Sequence, residues 1–236
     1  MLKKSKKNKK NSKIPVRALL WICSFLFLTT FLLMLPIYKN VKMTSLQHLQ
    51  HGLVALQNSK YAKAKTHLLH VAQNQDIHAS AEQKARAFFA LGSMEIEGKN
   101  INSKANPKEA AFYFEKAASL GFKDAQYMLA LLYDRGEGVD QNKEKALYWG
   151  LLSAAQGDIN ASYAVAVWLE RGYNGQAEPY QALKLYEYAA SKGHRNAIIS
   201  LISIYSGGTD IPKDVRKADY WKKQLDKTKD RTTYKK

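Results

Sequence analysis

The chain has very little cysteine and proline, and it lacks the short motifs that mark common catalytic sites. Its 236 residues include one cysteine, Cys23, so no disulfide can form within the chain. It has no His-Glu-x-x-His metal motif, no Gly-x-Ser-x-Gly nucleophile elbow and no glycine-rich phosphate loop between a strand and a helix. No segment of useful length alternates with the period of a β-strand. The sequence predicts an all-α protein that is not an enzyme and uses no cofactor.

Acidic residues are absent from the first 17 positions, which carry seven lysines and Arg17. Residues 18–38 then form a leucine-rich stretch without charge, long enough to span a bilayer as a helix, and only Lys39 and Lys42 follow closely. Because basic residues favour the cytoplasmic side, we expect residues 1–17 in the cytoplasm and the chain after Ile37 on the exported side. The composition suits a single-pass protein of a bacterial inner membrane with a periplasmic domain, although a type II protein of the endoplasmic reticulum would have the same pattern.

A cleaved signal peptide is the alternative interpretation of residues 18–38. Its apolar core would run for roughly 7–15 residues and end at a small-x-small cleavage site. Here the apolar core is longer and no such site follows it. These two features favour an uncleaved transmembrane helix, whose basic flank could contact anionic lipid headgroups.

The net charge of +17 lies mainly at the two ends of the chain. Residues 1–17 contribute +8 and residues 213–236 contribute +6, which leaves +3 for the 195 residues between them. The central part is therefore nearly neutral and contains no nucleic-acid recognition motif, so we expect no nucleic-acid partner.

A 36-residue period dominates the second half of the chain. Four sets of residues recur in one common register: Ala125, Ala161 and Ala197; Gly121, Gly157 and Gly193; Ala110, Ala146, Ala182 and Ala218; and Gly136, Gly172 and Gly208. A period of this length indicates stacked supersecondary units, each of which buries its apolar face on its neighbours.

Each unit is predicted to contain two helices. The Gly121-type glycine suits the left-handed residue just past a helix end, and the Asp or Asn three positions later (Asp124, Asn160 or Asn196) could cap the next helix. The first helices share one apolar face, as in Ala125, Leu129 and Tyr133, spaced by four residues. The Ala146-type position allows two helices to approach closely. The unit before residue 125 lies 38 residues upstream, and Ser80 with Gln83 resembles a capping box at its start.

At these positions the sequence resembles the Sel1-like repeats, relatives of the tetratricopeptide repeats. The residues that carry the resemblance are Leu91-Gly92, Lys116-Ala117-Ala118, Gly136-x-Gly138-Val139 and Lys145-Ala146-x-x-Trp149. We interpret residues 80–226 as four Sel1-like repeats, the last one partial, followed by a basic tail at 227–236. The predicted fold is an all-α solenoid that follows one N-terminal transmembrane helix.

Residues 43–79 look like a single tetratricopeptide-type hairpin that caps the stack, although an ordinary helical linker would read almost alike. This hairpin carries two pairs of histidines at i, i+3 spacing on facing helices: His48 and His51, then His67 and His70. Imidazoles of this kind can bind zinc or copper. No carboxylate stands beside them in the sequence to orient the rings, so ordinary surface or half-buried histidines are the favoured interpretation, and no metal site is predicted.

The resemblance implies a protein-binding function, in which the first helices line the inner face of the solenoid. On this basis we expect a non-enzymatic adaptor, anchored in the membrane, that binds a protein partner on the exported side. A regulator of a peptidoglycan enzyme, or a glycan-binding envelope protein, is the alternative, and a metal-linked activity is a third. The expected binding residues occupy equivalent places on two neighbouring first helices: Gln126, Tyr127, Asp134, Ser162, Tyr163 and Glu170.

Overall fold

Helices account for nearly all of the described chain, and they are joined by short connections. The computed structural model describes residues 43–73, 79–100, 103–173, 175–208 and 210–233, and within these ranges there is no β-strand. The helices are α1 (Ser45–Gln57), α2 (Tyr61–Ala72), α3 (Ala81–Ile96), α4 (Pro107–Ser119), α5 (Lys123–Arg135), α6 (Lys143–Ala155), α7 (Ile159–Glu170), α8 (Pro179–Ser191), α9 (Arg195–Gly207) and α10 (Val215–Thr233). The predicted transmembrane segment at 18–38 and the basic segment before it lie outside the described residues.

The helices stack in chain order, each packing on the next. The predicted hairpin is α1–α2, and the four repeats are α3–α4, α5–α6, α7–α8 and α9–α10. Within each repeat we call the two members the first and the second helix. Ala110, Ala146, Ala182 and Ala218 are at most 2% exposed, which confirms that this small-residue position lies where second helices pack closely. The all-α repeat architecture predicted from the period is therefore confirmed for the described residues.

The glycines between repeats adopt the backbone conformation that the sequence predicted. Gly121, Gly157 and Gly193 have φ of +85°, +80° and +86°. Each follows the end of a second helix, where a left-handed residue reverses the chain direction. The predicted capping box of α3 is also present, because Ser80 Oγ accepts from Gln83 N–H and Gln83 Oε1 accepts from Ser80 N–H, at 3.2 and 2.9 Å.

The start of each later first helix differs from the prediction. The N-cap is the residue directly after the glycine, not the Asp or Asn two positions further on. Asp158 Oδ1 accepts from Ala161 N–H at 2.8 Å, and His194 Nδ1 accepts from Ala197 N–H at 3.2 Å. In α7 and α9 the extended residue after the left-handed glycine points its side chain at the free N–H groups, whereas Phe122 at the start of α5 makes no side-chain cap; all three helices begin two residues earlier than expected.

The last helix also extends further than the sequence suggested. We placed the end of the repeats near Asp226, whereas α10 continues to Thr233. Residues 215–233 contain neither glycine nor proline, so nothing in the backbone chemistry stops the helix at 226.

Candidate protein-binding face

The first helices carry a row of large apolar side chains at one equivalent position. Phe89, Tyr127, Tyr163 and Ile199 are separated by 38, 36 and 36 residues and lie on α3, α5, α7 and α9. Phe89, Tyr127 and Tyr163 are half-buried, and Ile199 is 45% exposed. We call this set the first-helix row. Partly exposed aromatic and aliphatic side chains in line are suited to contact with an apolar partner surface.

An apolar groove lies at the N-terminal end of this row. It has a volume of about 470 Å³, and its lining includes Leu53 and Leu56 of α1, Phe89 and Met94 of α3, and Phe122 at the start of α5. Arg86, Glu97 and Lys99 also line it. Arg86 binds Glu82 at 2.9 Å and Lys99 binds Glu97, so these cations already have carboxylate partners. The groove therefore offers an apolar surface with paired charges and suits an apolar segment of another protein.

Two residues predicted to bind a partner are buried. Gln126 is 4% exposed: its Nε2 donates to Ala118 O at 3.2 Å, and its Oε1 accepts from Gln156 Nε2 at 2.7 Å. Ser162 is fully buried and donates to Asp158 O at 2.6 Å. The position after the alanine ladder still faces neighbouring helices, because each first helix packs on a second helix on either side. Gln126 and Ser162 are thus corrected from candidate surface residues to packing residues.

Tyr127 and Tyr163 are partly accessible, but their surroundings differ. Burial raises the pKa of the Tyr127 hydroxyl, Asp158 adds to the increase, and Arg135 opposes it. The Tyr163 ring stacks on His194 with centroids 4.5 Å apart and lies 5.9 Å from the Tyr186 ring. Tyr163 therefore also joins repeat three to repeat four.

The two predicted acidic residues are bound to tyrosines within the chain. Asp134 Oδ1 accepts from Tyr173 O–H at 2.8 Å, and Glu170 Oε2 accepts from Tyr186 O–H at 2.7 Å. Burial, followed by the bond to Glu170, raises the pKa of Tyr186 far above its ordinary value. Through these hydrogen bonds both carboxylates contribute to the repeat stack. Asp134 is half-buried and Glu170 is exposed, and each lies at the end of a first helix.

The four histidines of the hairpin come together in the structure. His48 Nδ1 and His67 Nδ1 are 3.0 Å apart, His48 stacks on His70 with centroids 3.8 Å apart, and His51 lies edge-on to His67 at 5.5 Å. In the described part of the chain, however, no group of three or more His, Cys, Asp or Glu side chains has an arrangement that could hold a metal ion.

Among the helices of the described residues, none is both long enough and apolar enough to cross a bilayer.

Comparison with known proteins identifies the repeats. The family model described as Sel1 repeat matches residues 85–122, 123–158, 159–194 and 203–221. Chitin synthase regulator SKT5 of Saccharomyces cerevisiae is 33% identical over 111 residues, covering 46% of this chain and 16% of that protein. Chitin synthase regulatory factor 3 of Schizosaccharomyces pombe is 34% identical over 95 residues, covering 39% of this chain and 10% of that protein. The chain thus spans less than a fifth of the length of these two relatives.

Solved structures share the fold. A Sel1 repeat protein from Oxalobacter formigenes matches with a TM-score of 0.64 and 26% identity, over 78% of this chain and 51% of that one. The protective antigen c5321 of uropathogenic Escherichia coli, described as having an SLR fold, matches with a TM-score of 0.69 and 23% identity, over 78% of this chain and 38% of the antigen. The match to the antigen shows a shared fold and nothing further.

Proposed function

Because the chain belongs to the Sel1 repeat family, whose model matches more than half of its residues, we propose that it is a non-enzymatic adaptor that binds another protein through its first helices. The observation that carries the proposal is the apolar groove between α1, α3 and the start of α5, continued by the first-helix row. Apolar side chains left accessible in a concave surface gain free energy when a partner removes them from water.

The proposed contact surface differs from the sequence-based set. The proposed surface keeps Tyr127 and Tyr163. It adds Phe89 and Ile199 along the first-helix row and Leu53 from the lining of the groove. Asp134 and Glu170 flank it, since each is at the end of a first helix. Aromatic side chains supply large contact areas at a low entropy cost, which suits them to the centre of an interface.

We further propose that residues 18–38 anchor the protein in a membrane, with the repeats on the exported side. The support is the uncharged apolar stretch and the surplus of basic residues before it. The basic residues before it could contact anionic lipid headgroups.

The partner is proposed to be an enzyme that builds or remodels an envelope polysaccharide. The specific support is that the two fungal relatives are named as regulators of chitin synthase. On this proposal the chain regulates such an enzyme by holding it at the membrane. An adaptor for a protein of another class is the competing outcome, and the identity of the captured protein separates the two.

Leu53→Arg should weaken partner capture at least about tenfold, because it places an unpaired charge among the apolar side chains of the groove. After crosslinking, the tagged full-length chain is purified separately from the membrane and the soluble fractions, and the partner is quantified against the wild type. Leu53 is 38% exposed, so the substitution should leave folding nearly intact.

Val54→Arg is the matched control for this experiment. It lies next to Leu53 on α1, is 53% exposed and does not line the groove. Capture should stay at the wild-type level. Equal losses for the two variants would contradict the assignment of the groove, and a complex recovered only outside the membrane fraction would contradict the anchor.

A further inference from the structure

The histidine cluster of α1 and α2 lies on the same hairpin that forms one wall of the groove. We propose that His48, His51, His67 and His70 form an acid-sensitive latch: protonation of the cluster releases α1 from α2 and removes that wall. The link to binding rests on the proposed function, whereas the opening of the hairpin does not.

The contact between His48 and His67 has room for only one hydrogen. Their Nδ1 atoms are 3.0 Å apart, which is a hydrogen-bond distance, so one ring donates and the other must accept. A second proton would convert the acceptor into a donor. While one ring stays neutral, its hydrogen can move to Nε2 and its Nδ1 can accept; only when both rings are cationic do two N–H groups face each other at this distance. The contact that joins the two helices is therefore formed only while at least one of the rings is neutral.

The other rings make further protonation unfavourable. His70 stacks on His48 with an interplanar angle of 10°, so two charges there would lie face to face. The Nδ1 atom of His70 is buried and has no hydrogen-bond partner within the described part of the chain. A proton on that nitrogen would thus be a buried donor without an acceptor in these residues, which is costly.

In the described part of the chain, the two helices that carry the cluster supply no carboxylate to pair with a cationic ring. Helices α1 and α2 contain no acidic residue, and α2 adds Lys63 and Lys65. Helix α3, which packs on α2, contributes Glu82, Lys84, Arg86 and Glu95; of these, Glu82 binds Arg86 and Glu95 binds Lys65. Burial, and then the charges of His51, Lys63 and His70, lower the pKa of His67.

The sign of the pH effect follows from this direction. In an open hairpin His67 has the ordinary histidine pKa of about 6.5, whereas burial and the neighbouring charges hold its pKa lower in the closed hairpin. The closed state is therefore fully favoured above about pH 6.5 and loses stability as the pH falls through the lowered value. Each proton bound preferentially by the open state raises the opening constant by up to about tenfold per pH unit.

Opening would act directly on the groove. Leu53, Leu56 and Gln57, which line the groove, lie one to three turns after His48 on α1, and the facing lining residues belong to α3 and Phe122. Helix α1 is held mainly by α2, since its contact with α3 is much smaller. Loss of the contact between α1 and α2 would thus leave the first-helix row intact and remove one side of the groove.

Hydrogen–deuterium exchange on the full-length chain at pH 7.5 and 5.5 tests the proposal. After correction for the pH dependence of intrinsic exchange, peptides from α1 and the adjoining part of α2 should open about tenfold more at pH 5.5. Peptides from α5 to α8 should stay equally protected. The readout needs no partner, so its result is separate from the outcome of the capture experiment.

Two variants make the test specific. His48→Gln with His67→Gln keeps a hydrogen-bonding pair that cannot titrate, and it should remove most of the acid opening. His194→Asn, which changes a distant histidine but keeps a capping residue on α9, should behave like the wild type. The proposal is overturned if wild-type α1 is equally protected at both pH values, if all helices lose protection together, or if the double variant opens like the wild type.

Discussion

Lys65→Met is expected to destabilise the protein by about 3 kcal/mol, because it leaves a buried carboxylate without its cation. Lys65 on α2 binds Glu95 on α3 at 2.9 Å and Glu109 on α4 at 3.1 Å, and the Glu95 side chain is only 2% exposed. Asn100 donates to the other oxygen of Glu95 at 2.6 Å. Breaking a buried ion pair costs about 3–5 kcal/mol, and the lower end applies because the Lys65 side chain is 24% exposed.

The ionisation of Lys65 supports this expectation. Burial tends to lower its pKa, but the bonds and charges of Glu95 and Glu109 outweigh burial and raise it. The contribution of the ion pair should therefore persist up to about pH 10.5 and be lost only as the pH rises through the higher folded value. At neutral pH the full effect should appear as a melting temperature lowered by roughly 6–12 °C in circular dichroism.

Two comparisons test whether the buried charge is the cause. Adding Glu95→Gln to Lys65→Met removes that charge and keeps an acceptor for Asn100, so most of the lost stability should return. Lys99→Met breaks an exposed pair with Glu97 and should cost less than about 1 kcal/mol. A double variant that melts even lower than Lys65→Met would contradict this explanation.

Gly138→Ala is expected to cost roughly 2–5 kcal/mol, from left-handed strain and a close approach together. Gly138 has φ of +74°, and a Cβ atom there would lie 2.3 Å from the carbonyl carbon and oxygen of Pro107 and 2.6 Å from Lys108 N. These are backbone atoms at the start of α4, so a side-chain movement cannot relieve the contact. The loop between α5 and α6 of repeat two therefore packs directly on the start of α4, the second helix of repeat one.

Gly121→Ala is the matched control for this substitution. Gly121 has a similar φ of +85°, but nothing lies within 4 Å of the position of an added Cβ atom. It should cost only the strain of the left-handed backbone, about 1–2 kcal/mol. Chemical denaturation of the two variants measures the difference, and equal losses would show that the loop does not depend on the approach to Pro107.

The period explains why so much of the fold could be predicted. Residues of the Ala125, Gly121 and Ala146 types recur every 36 residues. This period alone predicts where each pair of helices lies, without knowledge of any contact. The same argument gave the left-handed glycines. The period did not predict the N-caps. Local backbone angles decide which residue after the glycine can accept a hydrogen bond from the first N–H groups of the helix. The length of α10 was harder to predict, because a basic composition is typical of a tail, although residues 215–233 contain no helix-breaking residue.

The accessible side chains of the first helices were harder to predict, because accessibility depends on packing between units. Gln126 and Ser162 adjoin the ladder in sequence, yet they face the neighbouring helices. Phe89 and Ile199, which extend the proposed contact surface, lie at the 38- and 36-residue steps from Tyr127 and Tyr163 and so could be found from the period.

Contacts outside the repeated register gave no periodic signal. Glu95 stands at the ladder position that Tyr133, Leu169 and Tyr205 occupy in later repeats. The charged residue at this otherwise large and hydrophobic position was the one sign in the sequence of the ion pair with Lys65. The sequence placed two histidine pairs on facing helices, but the convergence of the rings depends on how α1 and α2 pack.

Site-specific photocrosslinking in the cell is the most direct test of the central claim that the first helices bind a protein. A photoreactive amino acid replaces Tyr127 on a first helix or Tyr148 on a second helix; Tyr148 is 57% exposed and in the same repeat. The account predicts a discrete protein adduct from position 127, identifiable by mass spectrometry, and none of comparable yield from position 148. Adducts of equal yield from both positions, or an adduct from position 148 alone, would contradict it.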